Sequence, residues 1–142
     1  MSDDVELLKE CDAGVKMGIE GIGNVMDDAT DEDFKNLLKD YEGRHYKVSA
    51  RIHEKLKSFN AGEKEPNAFA SSMSKMSTGM KMMMDNSDEK IADLMIDGCN
   101  MGIKSVSRYM NQYSGASQDT MDIANDVIVI EQNFMNDLRQ YL

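Results

Sequence analysis

Tryptophan is absent from the 142 residues, proline occurs once, at Pro66, and aromatic side chains make up 6%. With few aromatic and β-branched runs there is little to build a sheet from. With a single proline there is little to interrupt a long helix. Cysteine is scarce too: Cys11 and Cys99 lie far apart and form no CxxC pattern. That argues against a disulfide framework or a zinc ribbon, and two free, buried thiols are expected in a reducing compartment. No apolar run reaches the ~18 residues of a membrane span, and the acidic N-terminal stretch does not read as a signal peptide. No membrane association and a cytoplasmic location are therefore expected. Positive charge is also short: 16 Lys and Arg stand against 26 Asp and Glu, a net charge of −10. Such a chain repels phosphate backbones, so no nucleic acid partner is expected.

What the sequence does hold is a repeat. Gly14-Val15-Lys16-Met17-Gly18-Ile19 returns 84 positions later as Gly98-Cys99-Asn100-Met101-Gly102-Ile103, with both glycines kept. Glycines four apart lie on one face of a helix and let another element come close. A glycine inside a helix costs roughly 1 kcal/mol against alanine, so the pattern asks for a packing or ligand reason. Gly14, Gly18, Gly98 and Gly102 are therefore expected to be helix-packing positions.

Apolar residues recur at helical spacing in four stretches. The first runs over about 3–28, with Leu8, Cys11, Val15, Gly18, Ile22, Val25 and Ala29 on one stripe. Thr30 with Asp33 resembles a capping box opening the second, over 31–60. Its stripe is Phe34, Leu38, Tyr41, His45, Val48, Ile52 and Leu56, with Gly62 as a stop signal. The third, over 88–114, is capped by Ser87 and carries Ile91, Met95, Gly98, Gly102, Val106 or Ser105, Tyr109 and Tyr113. The fourth, over 118–141, starts at Ser117 or Asp119 and carries Met121, Ala124, Ile128, Glu131, Met135, Leu138 and Leu142. His45 and Glu131 thus interrupt otherwise apolar seams. His53, beside Glu54, reads as a surface residue.

Between the two helix pairs lies a Ser-, Met- and Lys-rich stretch in which Met73, Met76, Met80 and Met83 recur at helical spacing. It reads as a short amphipathic crossover helix whose Met face suits an adaptable contact, either a homodimer or a protein partner. The expected fold is all-α: one domain over 1–142, made of a hairpin at 1–62, a crossover at 63–87 and a hairpin at 88–142. A connection of that length lets the second and third helices run parallel.

This arrangement resembles the ferritin-like superfamily, including rubrerythrins, over nearly the whole chain. The resemblance rests on the duplicated GxxMGI faces, the long crossover, and Glu42-Gly43-Arg44-His45, which matches a Glu-x-x-His ligand pattern. It implies a four-helix up-down bundle and, in complete members, a di-iron site with a Glu from each of helices 1 and 3 and Glu-x-x-His from helices 2 and 4. Here Gly18 and Gly102 stand at the seam positions of helices 1 and 3. Ile128 and Glu131 stand where a second Glu-x-x-His would fall. Glu42, His45 and Glu131 remain as metal candidates, for iron or another divalent ion. Against them stands a buried His45 hydrogen-bonded to Glu131 or Glu42. No nucleophile constellation and no phosphate loop is present to carry other chemistry. The expectation is a non-catalytic bundle with a degenerate metal centre and no cofactor, with a structural, stress-related or partner-binding role. The alternative is a metal-dependent redox or iron-handling protein of rubrerythrin type.

Overall fold

The computed structural model describes residues 2–61 and 87–142. Among the described residues there are four α-helices and a terminal 3-10 turn, and no strand. They are α1 (Ser2–Met26), α2 (Glu32–Ser58), α3 (Asp88–Gln112) and α4 (Gln118–Leu138), followed by the turn at Arg139–Tyr141. The proposed stop at Gly62 and the Met stripe at Met73, Met76, Met80 and Met83 lie outside the described residues.

The helix ends follow from local chemistry. Ser87 and Ser117 cap α3 and α4, each accepting from the backbone N–H three residues on, at Lys90 and Thr120. The cap of α2 is Asp31, whose carboxylate accepts from the Phe34 N–H at 3.0 Å, and not Thr30. Asp31 sits one residue nearer the first helical turn, and Thr30 is held elsewhere. At the other end of α2, Asn60 takes the left-handed backbone (φ 57°) and the Ala61 N–H reaches back to the Leu56 carbonyl. An asparagine thus supplies the reversal expected of glycine.

α1 packs along α2 and α3 along α4, giving two antiparallel hairpins. Across the hairpins α1 faces α3 and α2 faces α4. The repeat governs the core: Leu7 and Ile91, Leu8 and Ala92, Val15 and Cys99, Ile22 and Val106 are buried in pairs 84 apart. In the second helices Phe34 and Thr120, Leu38 and Ala124, Tyr41 and Val127, Val48 and Phe134, Ile52 and Leu138 are buried in pairs 86 apart. The α2 stripe is buried as its periodicity indicates. The α4 stripe is rotated: Thr120, Ile123, Val127 and Phe134 face inward, Ile128 and Met135 flank the core, and Leu142 is exposed. Equal spacing cannot tell an inner stripe from a neighbouring one when both are apolar.

The hairpins are clamped together by a pair of carboxylates that the repeat also relates. Asp4, near the start of α1, accepts from the Ser117 N–H (2.9 Å), the Ser117 hydroxyl (2.6 Å) and the Thr120 hydroxyl (2.6 Å). Asp88, which starts α3, accepts from the N–H groups of Thr30 and Asp31 (both 2.9 Å) and from the Thr30 hydroxyl (3.1 Å). Each carboxylate meets the unsatisfied N–H groups and positive end of a helix in the other hairpin. The clamps place the starts of α1 and α4 at one end of the bundle and those of α2 and α3 at the other. Thus α2 and α3 run parallel.

Burial alone would raise the Asp4 pKa, but the bonds from Ser117 and Thr120 outweigh it and hold the carboxyl at about 2. A carboxylate depressed below its unfolded value of about 3.9 stabilises the fold above that pH and ceases to do so as the pH falls through its folded pKa. We expect Asp4→Ala to cost about 2 kcal/mol in denaturant melts at pH 7. The difference from wild type should shrink from about pH 4 toward pH 2. An unchanged difference across that range would mean that the clamp is not ionic.

Candidate functional site

At mid-height the core turns polar. The α2 stripe that buries Tyr41, Val48 and Ile52 carries His45 inward with them, 1% exposed. Its Nδ1 donates to the Tyr41 carbonyl one turn earlier, at 2.6 Å, and its Nε2 faces Glu131 Oε1 of α4 at 2.5 Å. Both ring nitrogens meet acceptors, an arrangement that calls for a proton on each and hence for the imidazolium. Burial opposes that charge. The Glu131 hydrogen bond and charge outweigh it and raise the His45 pKa above the ordinary histidine value. Glu131 is 12% exposed, so it too is largely withdrawn from water.

A third group joins them. Cys99 on α3 is buried close to the Glu131 carboxylate. Burial and that negative charge push the thiol well above the ordinary cysteine range, so it stays neutral and is a poor nucleophile. On the same seam Tyr41 stacks on Phe134 at 4.4 Å and donates its hydroxyl to Asp137 at 2.6 Å. The Phe134 ring meets His45 edge-on. The imidazole is therefore fixed at both nitrogens and against a wall.

The glycine motif explains how the pair fits. A Cβ at Gly18 would lie 2.9 Å from both Cδ2 and Nε2 of His45. A Cβ at Gly102 would lie 3.7 Å from Glu131 Cγ. In each hairpin the second glycine of the motif faces the polar residue of the partner helix: Gly18 with His45, Gly102 with Glu131. Gly18 makes room for a side chain rather than for another backbone, whereas a methyl at Gly102 would be in ordinary contact with Glu131. The first glycines differ from expectation. A Cβ at Gly14 or Gly98 would meet nothing within 4 Å. They lie one turn away from the tight point, on a part of the helix face that turns outward, so they are not packing positions.

The metal candidates are only partly assembled. His45 and Glu131 are in contact, whereas Glu42 is half-buried one turn before His45 and is hydrogen-bonded to neither among the described residues. Glu20 and Lys104, two residues beyond the seam glycines, are exposed. Among the described residues no group of three His, Cys, Asp or Glu side chains is arranged to hold a metal ion.

A second polar pair was not legible. Asp12 on α1 is fully buried, and its Oδ1 accepts from His53 Nε2 at 2.7 Å. Lys16 lies 3.0 Å from its other oxygen. His53 is thus half-buried and partnered, against the expectation that it sits on the surface. Asp12 and Lys16, four apart, read as an ordinary surface pair, and nothing local reveals that the first is inside. Cys99 could have been found: adding the repeat offset of 84 to the buried Val15 leads to it.

Residues 3–112 match a family described as a domain of unknown function, DUF2383, and the chain belongs to it. The matched span holds Gly18, His45, Cys99 and Gly102 and stops before Glu131. No curated protein and no solved structure matches the chain. No helix among the described residues is long and apolar enough to cross a membrane.

The three glycine environments give a graded test in denaturant melts. Gly18→Ala should destabilise by about 1–3 kcal/mol, because the methyl collides with a ring that cannot retreat. Gly102→Ala should be neutral or mildly stabilising, and Gly14→Ala should stabilise by up to ~1 kcal/mol through helix propensity. Equal effects at Gly18 and Gly14 would mean that Gly18 does not seat His45.

Proposed function

Taking the chain as a member of DUF2383, we propose that it is a non-catalytic helical bundle of ferritin-like type. Its metal centre has degenerated into a buried ion pair, and its role is structural, stress-related or partner-binding. The ferritin-like reading is supported by the order of hairpin, long connection and hairpin, by the parallel α2 and α3, and by Glu42-Gly43-Arg44-His45 on α2. The observation that carries the loss of a metal centre is the seat of the pair. Gly18 and Gly102 occupy the positions from which α1 and α3 would supply carboxylates, and they are filled against by His45 and Glu131. A two-metal carboxylate site needs four Glu and two His. The residues present do not fit it, and the nitrogen that would bind a metal bonds Glu131 instead.

A retained iron or manganese function would instead use Glu42, His45 and Glu131, with Glu42 turning inward. Melting of wild type and His45→Ala, each with and without added iron, manganese or zinc, separates the two. We expect His45→Ala to lose about 3–5 kcal/mol whether metal is present or not, because it strands a buried carboxylate. A wild-type melting temperature that rises with metal through binding to the native state, and ceases to rise in the variant, would make this a metalloprotein.

A further inference from the structure

The repeat gives each hairpin the other as its control, and the first helices of the two differ in one respect. Ten of the 25 residues of α1 are buried, against four of the 25 in α3. The excess centres on Glu10, Cys11, Asp12 and Ala13, which are buried in succession. At 3.6 residues per turn, four consecutive positions go right round a helix. Cys11 points into the core, so Ala13, about 200° round the helix from it, points away from the bundle. Yet Ala13 is only 6% exposed. A bundle helix turns one stripe to its neighbours and the opposite face to water. α3 does this: of its equivalent residues Leu94, Met95, Ile96 and Asp97, none is buried and Asp97 is exposed. Neighbouring helices do not account for the difference. α4 packs against the other three helices just as α1 does, and it has no more than two buried residues in succession. The loops and the terminal turn lie at the ends of the bundle, whereas Ala13 stands at the middle of α1. The outer face of α1 is therefore covered, within a single chain, by residues beyond those described.

We infer that the outer face of α1 around Glu10 to Ala13 is a docking surface for the connection at 62–86, received through its methionine stripe. Beyond the described residues the chain has only Met1 and 62–86. Met1 adjoins the start of α1, about 13 Å along the axis from Glu10. The connection is the occupant that topology delivers. It leaves α2 at the end of the bundle where α1 begins and reaches α3 at the other end. α2 and α3 lie on a diagonal, with α1 and α4 between them. The connection must pass over one of these two, and the covered helix is α1. Its 25 residues match the 25 of α1. Middle therefore meets middle, which brings Met73, Met76 and Met80 to Ala13. Methionine is unbranched and flexible and suits an uneven helix surface. A protein partner reaches the methionine stripe only by displacing it from α1. Burial and topology carry the inference, and the His45 and Glu131 pair takes no part in it, so it stands or falls separately from the proposed function.

The experiment attaches a nitroxide to the full chain at Met76→Cys, and separately at Met80→Cys, and reads the loss of amide NMR intensity. Cys11 and Cys99 are buried, with the Cys11 thiol pushed up to about 12, so the introduced thiol is the one that reacts. Reducing the nitroxide should restore a wild-type amide spectrum, which verifies folding, and the second position serves where the first variant does not fold. The expected result is loss of the Glu10 to Ala13 signals of α1, with those of Asn125 to Val129 on α4 retained. Equal loss on the two helices, or greater loss on α4, would overturn the inference. A mixture of nitroxide-bearing chains without nitrogen-15 and unmodified nitrogen-15 chains detects a second copy as the occupant. The α1 signals should keep their intensity in that mixture, and their loss there would overturn the inference too.

Discussion

A histidinium and a carboxylate are buried against each other where two helical hairpins meet, and the rest of the bundle is built to tolerate them. Taking both charges out of water costs several kcal/mol per ion unless geometry and further hydrogen bonds compensate. Here the Tyr41 carbonyl accepts a hydrogen bond from the other ring nitrogen, and the neutral Cys99 thiol lies close to the carboxylate. The ring also needs room, and α1 gives it by having no side chain at Gly18. A pair of this kind contributes less through net stability than through discrimination: a shifted register would leave two unpaired charges in an apolar core.

The same twofold logic holds the ends. Asp4 and Asp88 each cap a helix of the opposite hairpin, so cap and interface are one interaction. Among the described residues Tyr41 with Asp137, Lys55 with Asp119 and Gly115 with Asp3 also join the hairpins. Arg51 with Asp126 is an exposed pair of the sort that contributes little. Orientation is therefore set at three levels, two ends and the middle, by groups that the repeat places in equivalent positions.

Much of this was legible in the sequence. Four helices, the hairpin pairing, the parallel α2 and α3, and the inward position of His45 follow from periodicity and spacing. What escaped depends on partners distant in the chain. Thr30 looks like a cap because the local pattern around it is good, yet Asp88 claims its hydrogen bonds. Gly14 and Gly18 look alike in sequence, and only the position of His45 distinguishes them. Asp12 resembles any acidic residue on an amphipathic helix, and its burial becomes visible only once His53 is brought across from α2. In α4 two adjacent faces are both apolar, so the periodicity that leads to Glu131 and Leu138 leads equally to Ile128 and Met135, which only flank the core.

The central claim is that His45 and Glu131 act as one unit. A double-mutant cycle with His45→Leu, Glu131→Leu and the double variant measures this directly in denaturant melts. The account predicts that each single change costs about 3–5 kcal/mol by stranding a buried charge, and that the double variant costs far less than their sum. Losses that add to within about 0.5 kcal/mol would show that the two groups do not depend on each other and would contradict it.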